Sequence, residues 1–83
     1  MPDSNLFSNP NMVVSLLVPD SPNESVSYKY LKEQAKDFAR RSTNPSEFVN
    51  LVASELAHET SRTRREALAQ LKQRATELFA LDE

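Results

Sequence analysis

His58 stands beside Glu59, and this is the only place where the chain sets an imidazole next to a carboxylate. A metal centre or an acid–base pair built there needs a further ligand or a nucleophile, but the sequence has one histidine and no cysteine. Nor does the segment have the His-Glu-x-x-His spacing that sets two imidazoles on one helix face. The chain contains no glycine, which removes the glycine-rich phosphate loop as well. His58 is thus expected to face solvent on a helix. The chain is expected not to be an enzyme, and to carry no catalytic residue, metal or cofactor.

The remaining chemistry is that of charge. Net charge is −2, yet it is segregated along the chain: −3 over residues 1–27, +3 over 28–42, −3 over 43–60 and +1 over the rest. Lys29, Lys32, Lys36 and Arg40 fall at helical spacing in the basic stretch, so an acidic protein can still present a basic face. That face suits phosphate contact; the competing account is a solvated surface whose aliphatic stems cover the core. Arg62, Arg64 and Arg65 divide the same way, between phosphate binding and pairing with Glu55, Glu59 and Glu66. Tyr28 and Tyr30 straddle the edge of the same helix, one toward the core, and do not by themselves make a stacking platform.

The elements that carry these residues can be read from punctuation and periodicity. Residues 1–11 are rich in turn formers and are expected to be a flexible arm. Met12 to Val18 is an apolar run, β-branched at three positions and closed by Pro19-Asp20, which reads as a short strand. A single strand needs a partner, none is evident elsewhere in the chain, and a second copy is the natural source. Ser21-Pro22-Asn23-Glu24 and Asn44-Pro45-Ser46-Glu47 each combine a cap, a proline and a glutamate, as at helix starts.

The first helix is expected from Pro22 or a few residues later to Arg41, with Tyr28, Leu31, Ala35, Phe38 and Ala39 on its apolar arc. The second runs from Pro45 to about Thr60 and is apolar around much of its circumference. A third, opening near a Thr63-Arg64-Arg65-Glu66 box and ending near Leu81, carries Leu68, Leu71, Ala75, Leu78 and Phe79 on a narrow stripe. With no glycine or proline between them, the second and third helices are either separate or one long bent helix. The expected fold is mostly α, a short N-terminal strand followed by two or three helices. Its divisions are an arm at 1–11, a strand-helix-helix unit at 12–60 and an amphipathic helix at 61–83.

A chain of 83 residues with 39% hydrophobic content forms one thin core, so association is expected. The longest apolar run is far below the roughly 20 residues of a membrane span, and neither a basic lead-in nor a cleavage site makes it a secretory signal. A cytoplasmic location with no membrane partner is therefore expected.

A strand ending in Pro19-Asp20, an amphipathic helix, and Ser46-Glu47-Phe48-Val49 followed by Val52, Ala53 and Leu56 resemble the ribbon-helix-helix family of dimeric DNA-binding regulators, over about residues 12–60. The resemblance implies a homodimer in which paired strands enter the major groove. It turns Val14, Leu16 and Val18 into a dimer core shared with Phe48, Val52 and Leu56, and leaves Ser15 as the hydrogen-bonding group on the reading face. It also sets Asn44 and Ser46 at a helix N-terminus facing a phosphate, with Lys29, Lys32, Lys36 and Arg40 as backbone contacts.

Two functions follow. One is a homodimeric DNA-binding transcriptional regulator or antitoxin-like protein whose last helix docks a protein partner through Leu68, Leu71, Ala75, Leu78 and Phe79. The other is a helical interaction or scaffolding module that does not bind DNA.

Overall fold

A computed structural model describes residues 6–80, and within them every regular element is helical. A single 3-10 turn at Leu6–Ser8 leads into four helices: α1 (Pro10–Leu17), α2 (Val26–Arg41), α3 (Pro45–His58) and α4 (Arg62–Phe79).

The expected strand at Met12–Val18 is corrected to helix α1, and among the described residues there is no strand. Pro10 occupies the first turn, where its fixed φ suits a helix and its missing N–H costs nothing. The helix satisfies its backbone internally, so the argument that a second chain must supply a partner strand falls away. The side chains follow the helical period: Val13 and Leu17 are buried, Val14 is half-buried, and Leu16 is 45% exposed. Val18, just past the helix, is buried. The alternation of Val14, Leu16 and Val18 expected of a ribbon is therefore absent. Pro19 follows at the end of the segment and disfavours a helical Val18, which takes φ −135° and ψ 79°.

α2 begins at the later of the two serines. Ser25 Oγ accepts the Tyr28 N–H at 3.1 Å, whereas Ser21 lies in the preceding turn and donates its N–H to Glu24 Oε2 at 3.0 Å. The inward face is Leu31, Ala35, Phe38 and Ala39, with Tyr28 half-buried beside it, as the spacing predicts. α3 begins at the expected cap, where Asn44 Oδ1 accepts the Glu47 N–H at 2.8 Å. α3 and α4 are separate helices joined through Glu59–Ser61. The cap of α4 is Ser61 rather than Thr63. Ser61 gives its own N–H to Glu59 Oε2 at 3.0 Å, so the carboxylate that ends one helix helps to start the next.

One core gathers all four helices. Phe48 and Val52 of α3 are buried in it, as are Leu68, Leu71 and Ala75 of α4, each fully shielded by this chain alone. A chain of aromatic rings runs through it to its edge: Phe48 lies 5.9 Å from Phe7 and 6.4 Å from Phe38, and Phe7 lies 5.8 Å from the half-buried Phe79. Phe7 belongs to the segment expected to be a flexible arm, of which residues 1–5 lie outside the described residues. So do 81–83, including the expected helix end at Leu81. No helix among the described residues is long and apolar enough to cross a membrane.

A candidate interaction groove between α3 and α4

α3 and α4 run as an antiparallel hairpin, and their most buried faces turn toward α1 and α2. One flank of α3 carries Val49, Ala53 and Leu56, with Thr60 in the connection beyond it; one flank of α4 carries Arg65, Ala69, Lys72 and Thr76. The α4 set has i, i+4, i+7, i+11 spacing, which keeps a row in line along a helix. Between them lies an open groove made of two adjoining hollows of about 580 and 450 Å³ that share Leu56 and Ala69. Its depth follows from residue size: Ala69, with no side chain beyond Cβ, leaves Leu56 uncovered where a longer residue would close the cleft. Thr60, Arg62, Arg65 and Glu66 line one end, and Gln73, Thr76 and Glu77 the other.

The arginines at the hairpin turn have distinct roles. Arg64 Nη1 reaches Glu59 Oε1 at 2.6 Å and Glu55 Oε1 at 3.3 Å, while its Nε donates to Gln34 Oε1 at 3.2 Å. It thereby ties α2, α3 and α4 together. The Ser61 N–H, and next Arg64, hold the Glu59 carboxyl below its usual value, and Glu59 in turn raises Arg64. Arg62 pairs with Glu66 at 3.6 Å on the open surface. Arg65 and Lys72 make no ion pair among the described residues and stand at the groove with their charge uncompensated.

The basic stripe of α2 is divided as well. Lys32 is bound by Asp20 and, at 2.8 Å, by Glu24. The Asp20 contact, then that of Glu24, raises its pKa, while Lys32 and the Ser21 N–H hold Glu24 below the usual carboxylate range. Lys29, Lys36 and Arg40 remain without an ion pair among the described residues, with Lys29 and Arg40 exposed and Lys36 half-buried. Ser15 is exposed on α1, and Asn44 and Ser46 are exposed at the start of α3. That helix start already holds a carboxylate: Glu47 Oε1 accepts from the Thr43 N–H at 2.6 Å and from its hydroxyl at 2.9 Å. A phosphate placed there would meet a like charge.

Of the stripe assigned to partner binding, Leu68, Leu71 and Ala75 belong to the core; Leu78 is 41% exposed and Phe79 packs against the core edge. Leu56, placed in a dimer core by the sequence, is half-buried on the groove floor. His58 is exposed, its Nδ1–H donating to the Ser54 carbonyl at 2.9 Å. No group of three or more metal-capable side chains comes together among the described residues. Sequence reasoning missed the groove, the part played by Phe7, and the bond from Arg74 Nη1 to the Leu17 carbonyl at 3.0 Å, which satisfies the end of α1 from α4. A lone phenylalanine in a polar stretch was the available signal for Phe7; the other two depend on how helices are placed in space. Compared with protein-family models, curated proteins and solved structures, the chain matches none of them.

Proposed function

We propose that this chain is a non-catalytic helical module that binds another protein through the α3–α4 groove. The observation that carries the reading is the half-buried Leu56 floor beside Ala69, an apolar strip flanked by polar and charged side chains. Such a strip, rimmed by polar groups, has the form of a site that receives an amphipathic helix.

A photoreactive residue in place of Ala69 tests this in extract of the source cells, with Asn50 on the exposed side of α3 as the control position. A discrete protein adduct is expected from position 69 and not from 50. Excess unlabelled chain should compete it away, and an Ala69→Trp chain, whose groove is filled, should not. Equal labelling at both positions, or competition by the Trp variant, overturns the proposal.

A second reading, contact with nucleic-acid phosphates, rests on Lys29, Lys36 and Arg40, which make no ion pair among the described residues. If it holds, replacing Lys29 and Lys36 with alanine weakens duplex binding across sequences and lowers the salt slope by roughly one unit per lost contact. No binding to random duplexes at low salt removes this reading.

A further inference from the structure

The geometry points to an acidic amphipathic helix as the occupant of the α3–α4 groove, seated with carboxylates on Arg65 and Lys72. This names the partner for the interaction reading above and rests on it. Three observations converge.

The first is shape. The groove runs between α3 and α4 past Leu56 and Ala69, and its α4 lining from Arg65 to Thr76 extends roughly 17 Å at 1.5 Å per residue, about three turns of a docked helix. Ala69 lets a helix backbone come close, because interaxial distance is set by the side chains at the contact.

The second is charge. Arg64 is taken up by Glu55 and Glu59, and Arg62 by Glu66, but Arg65 and Lys72 are left over beside the apolar floor. They are seven residues apart on α4, which places them on one side of the helix and roughly 10 Å apart along it. Two carboxylates at the same i, i+7 spacing on an aligned partner helix meet both. Apolar residues at intermediate i+3 or i+4 positions then fall on Leu56 and Ala69.

The third is polarity along the groove. Glu77 lines its far end and has no ion pair among the described residues. The docked helix is therefore acidic toward the hairpin turn and across the middle, and neutral or basic where it passes Glu77. A helix with a lysine flank sets like charges against Arg65 and Lys72 and is excluded on the same grounds.

The test uses the full chain and two synthetic 16-residue helical peptides with the same Leu/Ala stripe, one flanked by glutamates and the other by lysines. Fluorescence anisotropy at low salt is expected to show the glutamate peptide binding at least tenfold tighter than its lysine twin. Added salt should narrow the gap. Amide shifts should move at Leu56 and Ala69 and leave Val13 and Phe38 unchanged. An Arg65→Glu, Lys72→Glu chain should reverse the preference; neither residue makes an ion pair among the described residues, and circular dichroism verifies that the variant is intact.

Equal binding of the two peptides, no binding of either, or shifts confined to α1 and α2 overturns the inference. If position 69 still yields a competed protein adduct in that event, the groove binds a partner of other chemistry and the interaction reading survives. If the adduct is absent too, both fail.

Discussion

Phe48 is the residue on which the packing can be tested most severely. It is fully buried, and its neighbours within aromatic contact come from two other elements, Phe7 ahead of α1 and Phe38 in α2. Full truncation to alanine would cost about 3–5 kcal/mol, the range for buried aromatic side chains. That is a large part of the stability expected of a domain this size, roughly 0.05–0.15 kcal/mol per residue or about 4–12 kcal/mol in all, so the alanine variant is expected to be severely destabilised. Phe48→Leu is the quantitative probe. It keeps most of the apolar volume but gives up two ring–ring contacts worth about 0.5–1.5 kcal/mol each. The expected loss is therefore about 2 kcal/mol, or a fall in Tm of roughly 8–16 °C for a chain of this length. Urea unfolding followed by circular dichroism measures it, with Asn50→Ala on the exposed side of the same helix expected to change stability by less than about 0.5 kcal/mol. Because all three rings belong to one chain, the midpoint of the leucine variant should not depend on protein concentration. A loss below about 0.5 kcal/mol, or a midpoint that climbs with concentration, would refute the claim that one chain closes its own core around Phe48.

Acid should destabilise the fold. Glu24 and Glu59 have folded values below the ordinary 4.5, so the stability they confer is complete above that value and is lost as pH falls through the lower folded ones. Lys32 is raised, so its contribution is complete below the ordinary 10.5 and no alkaline loss from it is expected short of that. Thermal melts from pH 7 to 2 should show the acid limb, and Glu24→Gln with Glu59→Gln should flatten it; an unchanged limb contradicts the assignment. Ala80 is the one residue of positive φ among those described, at 52° in the left-handed region, and ends α4. Ala80→Gly should therefore stabilise by about 1 kcal/mol, since the αL penalty for a Cβ-bearing residue is removed; calorimetry showing a lower Tm would mean the cap carries no strain.

Local rules were enough wherever the deciding interaction is local. The Asn44-Pro45-x-Glu47 start of α3, the inward arc of α2 and the Leu68–Leu71–Ala75 line of α4 all depend on steps of four positions or fewer from one residue to the next, and all appear where the spacing placed them. α1 did not yield to those rules. Its β-branched valines favour a strand on propensity, but a short apolar run fits a buried helix equally well, and what decides is the surface that α2 and α4 offer to Val13 and Leu17. Rival caps were misjudged for a related reason. Ser21 and Ser25, or Ser61 and Thr63, are chemically interchangeable, and the choice between them rests on where Glu24 and Glu59 find their cations. The groove is less legible still. Lys32 and Lys36 look alike in the sequence, as do Arg64 and Arg65; only the folded ion pairs distinguish the engaged cation from the free one.

The contact between Arg74 and Leu17 also bears on the order in which the molecule assembles. It joins residues 57 positions apart, whereas α3 and α4 meet across a three-residue connection. Loop-closure entropy therefore favours the α3–α4 hairpin as an early unit, with α1 arriving late from the other end of the chain. α1 is then held by tertiary packing, through the buried Val13 and Leu17 and the Arg74 bond, with no short connection to α3 or α4 to help it. Its departure would uncover the core surface that Val13 and Leu17 close and free the Arg74 guanidinium, while the α3–α4 hairpin stays formed. Amide exchange along the chain should accordingly be graded, fastest in residues 10–17 and slowest around Phe48 and Leu71, even in a protein that melts in a single cooperative step.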